Sequence, residues 1–390
     1  MSAVTKALHD ELTGLRRELH KIAELGFTEY ETSDRICRAL DRIGIDYQRG
    51  LAGTGIVASL RAGAGKRCIA LRADIDALPI TETSTSAHRS GNDGVMHACG
   101  HDGHTTMLLG AAQVLKQRAR FDGTVHFIFQ PAEEHGKGAL KMIEDGLFEL
   151  HPCDVVYGMH NMPWLEVGKF ATRPGPIMAA EDNFEIRIVG RGGHAAIPHA
   201  AKDALTVAAS IITELQTIVS RNIDPLQGGV VSCTEILTDG TTNVIPGEVT
   251  IKGDTRSFLP EVSELIEARM GKIVSGLCGA HDMEHRLDYT RVFLSTINAE
   301  AESRIAAEVA RSLVGAENVD GDCAPMMASE DFAAMLREKP GNYIFIGNKG
   351  RDGTGATMLH NPAYDFNDET IPYGVDYWVK LVERELPEAV

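Results

Sequence analysis

Apolar side chains at Val4, Leu8, Leu12, Leu15, Leu19 and Ile22 recur at three- and four-residue steps, so a helix with one apolar face is expected over 4–22. A second amphipathic helix over 31–43 carries Ile36, Leu40 and Ile43 on one side and stops at Gly44. Apolar runs then predict strands at 55–60, 67–73, 124–130 and 154–159, with helical spacing between them at about 103–118 and 137–146. Alternation of this kind makes an α/β layer fold with a largely buried sheet. From Asn183 the rhythm changes to strand 184–190, helix 202–221, strand 229–237, strand 247–257, helix 260–278 and strand 283–292, with a turn at Asp239-Gly240. That βαββαβ order predicts a four-stranded sheet with both helices on one face, the ferredoxin-like arrangement. A helix at about 298–314, a short one around 330–336, a buried strand at 343–346 and a helix at about 370–385 follow.

The simplest architecture is a small α+β domain at 181–293 inserted into a discontinuous α/β domain made of 1–180 and 294–390. Length agrees, since 390 residues at about 150 per domain give two or three domains. A hydrophobic fraction of 43% can fill large cores and excludes intrinsic disorder. Acidic residues outnumber Lys and Arg by 55 to 38, and a net charge of −17 repels phosphate backbones, so nucleic acid is not an expected partner. No apolar run approaches the ~20 residues that cross a bilayer. The best is 107–115, and Asp10 and Glu11 interrupt the N-terminal segment, so neither a membrane anchor nor a signal peptide is expected. Seven scattered cysteines do not form the even framework of a small secreted domain, which points to a reducing cytoplasm and mostly buried, inert thiols.

Cys99 stands apart from the other six. It lies in Met96-His97-Ala98-Cys99-Gly100-His101-Asp102-Gly103-His104, a Gly-punctuated loop ahead of a helix that is hard to explain as packing. Cys99 and His101 are one residue apart, so in an extended loop both side chains point the same way and can meet one ion. A second cluster, Gln130-Pro131-Ala132-Glu133-Glu134-His135, closes a strand. Sites in open α/β sheets form outside the carboxyl ends of strands. Two carboxylates there can divide the work, one holding a cation and the other moving a proton. His160 at the end of the strand 155–159 and His360 in Met358-Leu359-His360-Asn361-Pro362 would complete five ligands for a pair of divalent ions. Asp74 and Asp76, two residues apart after another strand, could orient metal-bound histidines. In the insert, Gly190-Arg191-Gly192-Gly193-His194-Ala195 lets backbone approach a ligand or another chain, and Asn243 and Arg256 are polar candidates, Arg being suited to a substrate carboxylate.

These segments, with Arg72-Ala73-Asp74-Ile75-Asp76-Ala77-Leu78-Pro79, Gly158-Met159-His160, Asn243-Val244-Ile245-Pro246 and Leu359-His360-Asn361-Pro362, resemble the metal-dependent amidohydrolases of the aminoacylase and carboxypeptidase superfamily. The branch is that of hippurate hydrolase and the plant auxin-amino-acid conjugate hydrolases, and the resemblance runs nearly end to end. It implies a metallopeptidase-type catalytic domain with a mixed central sheet and an inserted dimerisation or lid domain. It also implies hydrolysis of N-acyl amino acids at a two-ion centre held by Cys99, His101, Glu134, His160 and His360. Glu133 is then the general base and acid, Asp76 a supporting catalytic residue, and His194 reaches the partner subunit's active site to polarise the scissile carbonyl. Asn243 and Arg256 become contacts for the substrate carboxylate, and a homodimer is implied. Members outside the branch use a His and an Asp where this chain has Asp74 and Cys99, so ligand roles carry over from this branch alone. Zinc or manganese suits the mixed donor set, with cobalt or nickel according to availability.

Other readings make different demands. A thiol hydrolase with Cys99 as nucleophile and His101 as base needs a metal-free, low-pKa thiolate and would resist chelators. A zinc nucleobase deaminase lacks its Pro-Cys-x-x-Cys half here. A metallo-dipeptidase or carboxypeptidase would share the centre but cleave small peptides, and a catalytically silent binding protein would not release an amino acid.

Overall fold

Thr5 opens helix α1 (Lys6–Lys21), its hydroxyl oxygen accepting the Leu8 N–H at 3.2 Å. The helix buries Leu12, Leu15 and Leu19 as the spacing requires, and it also buries Arg16 and His20, which pattern alone assigns to a polar face. Helix α2 (Tyr30–Ile43) ends at Gly44, whose φ of 76° is the left-handed cap that glycine adopts without strain. Strands β1 (Tyr47–Leu51), β2 (Gly55–Ala62) and β3 (Cys68–Asp74) follow, then helix α3 (His101–Arg118), strand β4 (Gly123–Gln130), the short helices α4 (Gly138–Glu144) and α5 (Leu147–Leu150), and strands β5 (Val155–Glu166), β6 (Phe170–Ala171) and β7 (Gly175–Met178). The computed structural model describes residues 2–388 and contains two compact units; the first comprises the chain to Ile177, Ile297–Ala324 and the chain from Asp331, and the second Met178–Thr296 with Pro325–Glu330.

The second unit carries β8 (Ala180–Val189), β9 (Gly193–His194), α6 (Ala204–Arg221), β10 (Gly229–Thr238), β11 (Val244–Ile245), β12 (Glu248–Ser257), α7 (Pro260–Ala280) and β13 (Glu284–Phe293). Its four long strands lie in the order β10-β12-β8-β13, every pairing antiparallel. Phe184, Ile186 and Ile188 of β8 and Val249 and Ile251 of β12 share one core with Val207, Ile211 and Leu215 of α6 and Ile266 and Met270 of α7, so both helices cover the same sheet face. After β14 (Thr296–Asn298) the chain adds α8 (Glu300–Val314), β15 (Val319–Asp320), α9 (Ala333–Glu338), β16 (Gly341–Lys349) and α10 (Ile371–Glu385).

The first unit is built on an eight-stranded mixed sheet ordered β1-β2-β4-β3-β5-β16-β6-β15. Its centre is parallel, with β3 between β4 and β5, and β5 beside β16. Helix α3 lies against this sheet and is buried almost all round, as an apolar helix between two layers must be. A Cβ built on Gly110 would come within 2.7 Å of Leu12 in α1 and Val375 in α10, so glycine sets how closely these helices approach.

Several boundaries differ from expectation. Helix α3 starts at His101 rather than near 103, so His101 and His104 stand on its first turn and the loop ends at Gly100. The expected helix 137–146 is shorter, and the one around 330–336 lies further along the chain as α9, Ala333–Glu338. Strand β5 runs seven residues past Met159 to Glu166 because β16 keeps pairing with it, Phe345 opposite His160 and Lys349 opposite Glu166. His160 is therefore inside a strand and not at its terminus. The small strands β1, β6, β7, β9, β11, β14 and β15 have no periodic signal of their own and form where a partner presents free backbone groups.

Candidate metal centre

Parallel strands that end at one level bring their last side chains together. Asp74 closes β3 opposite Gln130 at the end of β4, and Arg72 pairs with Gly158, so His160 two residues on sits at the same level as Asp74. Gly100, at φ 90°, turns the chain into α3. The segment is thus not extended, and Cys99 and His101 meet by this left-handed turn instead. Cys99, His101 and His160 present ligand atoms that all lie within 4.8 Å of one another, and so do Cys99, Glu134 and His360. The two groups contain all five candidate ligands and share the Cys99 thiol. Glu133, with His101 and Glu134, forms a further group within the same 4.8 Å.

Hydrogen bonds set the imidazole tautomers. His160 Nδ1 lies 2.7 Å from the Asn161 carbonyl and His101 Nδ1 lies 3.0 Å from the Asp76 carbonyl; a carbonyl only accepts, so both Nδ1 atoms carry the proton. Their Nε2 atoms then face inward, that of His160 lying 3.3 Å from Cys99 Sγ. His101 Nε2 and Glu134 Oε1 are buried without a hydrogen-bond partner. Buried orphans of this kind are costly unless something else binds them. Asp76 holds the arrangement from behind: one oxygen is 3.1 Å from His101 Nδ1 and the other accepts the Glu134 N–H at 3.0 Å. Glu133 is buried, and its Oε1 accepts the Asp331 N–H at 3.4 Å.

Asp74, His101 and His104 also cluster, but this corner is already satisfied. Asp74 takes the Arg72 guanidinium at 2.7 Å and His104 Nδ1 at 2.6 Å, while His104 Nε2 accepts the Asn161 N–H at 3.0 Å. A cation there would face Arg72. Electrostatics separate the histidines further. Burial disfavours a charged His101, yet Asp74, Asp76 and Glu134 outweigh it and push the imidazole up to about 10. His160 goes the other way, held well below its usual range by burial and by His104. Burial favours a neutral Glu134, but His360 and His101 keep it below the ordinary carboxylate range.

His360 is the outlier among the five. Its side chain is 54% exposed and its backbone adopts φ 61°, rare for a non-glycine, with its N–H on the Ala98 carbonyl at 2.8 Å and its ring 3.5 Å from Glu134. The remaining candidates stand in the second unit. His194 is exposed on β9, paired opposite Val244 of β11, and Asn243 is exposed beside it, its carbonyl accepting the Ala195 N–H. The Arg256 fork is engaged by Glu181 at 2.8 Å, Asp254 at 3.0 Å and the Ser329 hydroxyl at 2.8 Å.

Sequence reasoning missed a supporting layer. Glu29 is fully buried, accepting the Ala132 N–H at 2.9 Å and the Thr54 hydroxyl at 2.6 Å, and Ala132 is left-handed at φ 52° just before Glu133. Arg72 joins Asp74 to Gln130 and Asp331. Arg16 and His20 reach Asp102 on the first turn of α3. Arg72 and Gln130 stand within the motifs quoted above, and the last pair left a trace as two polar residues four apart flanking the apolar stripe of α1; Glu29 and Asp331 left none.

A model of peptidase family M20/M25/M40 matches residues 70–384. Hippurate hydrolase of Campylobacter jejuni is 39% identical over 97% of this chain and 97% of its own. IAA-amino acid hydrolase ILR1-like 5 of Arabidopsis thaliana is 38% identical over 97% of this chain and 87% of its own. Among solved structures, the Bacillus subtilis YXEP protein, titled a dinuclear metal binding peptidase from the M20 family, superposes with a TM-score of 0.84 at 33% identity, covering 97% of this chain and 98% of that one.

Proposed function

The chain belongs to peptidase family M20/M25/M40, and on that footing we propose that it is a metal-dependent amidohydrolase of N-acyl amino acids, releasing a free amino acid and a carboxylic acid. The observation that carries the reading is the pair of three-residue groups, Cys99-His101-His160 and Cys99-Glu134-His360, that share one thiol beside Glu133. The donor set fits two divalent ions: a thiolate, imidazoles with Nε2 turned inward, a carboxylate, and two buried polar atoms without a hydrogen-bond partner. Zinc or manganese is the proposed metal, and two such ions would supply Lewis acidity toward a water and the scissile carbonyl.

The protein's own groups do the rest. Glu133 takes the proton of the attacking water and delivers it to the leaving amine, from a buried position where the Asp331 N–H holds its carboxylate. Asp76 keeps the His101 ring and the Glu134 backbone in register with one carboxylate. By the family reading, His194 of a second subunit donates to the carbonyl oxygen, and Asn243 and Arg256 receive the substrate carboxylate. Arg256 can do so by exchanging a bond with Glu181, Asp254 or Ser329. The same reading makes the second unit a ferredoxin-like dimerisation domain, which its strand order supports, and the protein a cytoplasmic homodimer; no helix among the described residues is long and apolar enough to cross a membrane.

The test is release of free amino acid from acetyl-, benzoyl- and indole-acetyl-amino acids and from dipeptides by metal-loaded protein. Chelator-sensitive release from acyl amino acids is expected. Cleavage of dipeptides alone would move the protein to a peptidase role, chelator-resistant turnover would point to Cys99 as nucleophile, and no release from any substrate would defeat an enzymatic reading.

A further inference from the structure

The five proposed ligands are not equally secured. Cys99, His101 and His160 are buried, and Glu134 is nearly so. His360 is half-exposed, left-handed, and carried by a segment after β16 that has no regular element before the single 3-10 turn Asp368–Thr370. Its ring position depends on what anchors residues 360–368. One anchor is conspicuous for its burial and its geometry. Arg16, 1% exposed on α1, donates from Nε to Asp368 at 2.7 Å and from Nη1 to Asp365 at 2.9 Å, and the same Nη1 lies 3.5 Å from Asp102. Asp102 is on the first turn of α3 beside His101, and it also receives His20 Nδ1 at 2.8 Å. A single buried guanidinium thus spans the two chain segments that bring Cys99-His101 and His360 together. Its planar fork serves acceptors in different directions at fixed angles, as an ammonium could not. Without it Asp102, Asp365 and Asp368 would keep His20, His88 and Arg17 as separate partners, and no single charged group would tie the His360 segment to α3.

We propose that Arg16 is a positioning residue that holds the His360 segment against the start of α3, and thereby controls whether the Cys99-Glu134-His360 half of the centre retains its ion. The claim rests on the ligand reading above. It separates from a general structural role because it predicts loss at one half of the centre and not the other: Arg16 touches α3 only through the 3.5 Å contact to Asp102, which His20 also holds, whereas Asp76, the Asn161 carbonyl and β5 fix His101 and His160 directly.

The experiment uses the full chain with Zn²⁺ or Co²⁺ alone as probe. Bound ions are counted by elemental analysis across a series of buffered free-metal concentrations, and thiolate-to-cobalt absorption reports the Cys99 site. Four proteins are compared: wild type, His360→Ala as the benchmark, Arg16→Met and Arg16→Lys. Arg16→Met is expected to weaken one of two ions at least tenfold, matching His360→Ala, while the other ion and the thiolate band persist; Arg16→Lys is expected to fall between Arg16→Met and wild type. Should Arg16→Met not fold, the double variant Asp365→Asn with Asp368→Asn weakens both ends of the anchor on the His360 segment and is expected to weaken the same ion. Two ions held with wild-type affinity by folded Arg16→Met or by the Asp365→Asn, Asp368→Asn double variant would overturn the proposal, as would equal weakening of both. If His360→Ala itself keeps both ions, the ligand reading fails first and the Arg16 proposal falls with it.

Discussion

Glu133 and Glu134 are neighbours in the chain with opposite surroundings. The Glu134 N–H is tied to Asp76 and its carboxylate faces His101 and His360, while the Glu133 carboxylate is met by the Asp331 N–H. Glu133→Gln, which keeps the shape but cannot take a proton, is expected to lower kcat by about 10²- to 10⁴-fold. Steady-state kinetics on protein verified to hold its full complement of ions should find KM little changed; near-normal turnover would remove Glu133 as the base. His101 makes a second prediction. Its imidazole, raised to about 10 by Asp74, Asp76 and Glu134 against burial, is protonated at neutral pH until an ion takes its place. Metal binding at pH 7 should therefore release protons, and apparent affinity should rise as pH rises toward 10. Calorimetry in buffers of different ionisation enthalpy reads that release directly. At this scale the sequence exposed residues through unusual neighbours, such as Cys99 among histidines. It could not expose Glu29 or Asp331, whose partners lie 103 and 198 positions away in the chain.

Among elements, α3 shows how packing overrides propensity. Gly110→Ala would improve intrinsic helix stability by about 1 kcal/mol. The added Cβ would strike Leu12 and Val375 at 2.7 Å, however, and overpacking of this kind costs about 1–3 kcal/mol, so the net effect should be destabilising in denaturant unfolding. Strand β4 supplies a pH prediction remote from the centre. His126 is buried there, its Nδ1 2.8 Å from the Ser59 hydroxyl, and burial with help from His151 pushes it down to about 4. The unfolded chain binds this proton near 6.5 and the native one only near 4, so the stability present above 6.5 should decline as pH falls through that window, by roughly 3 kcal/mol in total. His126→Gln should flatten the decline, and unfolding midpoints measured at several pH values would reveal it. The long elements were legible because their apolar periods run over many residues; β5 outran its signal because its end is set by β16, not by its own composition.

For the whole molecule, the proposed sharing of sites between subunits makes a demand that single variants cannot meet. His194→Ala and Glu133→Ala chains should each be inactive alone, and verified mixed dimers should regain part of the wild-type activity because one site receives both intact residues. Failure to recover in mixed dimers would rule out sharing, and a monomer mass by light scattering would rule out the dimer. By itself the sequence determined the α/β class, the change of rhythm at Asn183 and the residues able to bind ions, because hydrophobic period and donor chemistry are local properties. Tertiary structure alone decided which of those donors meet. Gly100 turns Cys99 and His101 toward each other, the strand level brings in His160, and Arg72 spends Asp74 elsewhere. It also decided that Arg16 and His20 belong inside, since a charged side chain is buried only where distant partners such as Asp102, Asp365 and Asp368 satisfy it, and no local pattern encodes partners that lie from 82 to 352 positions away.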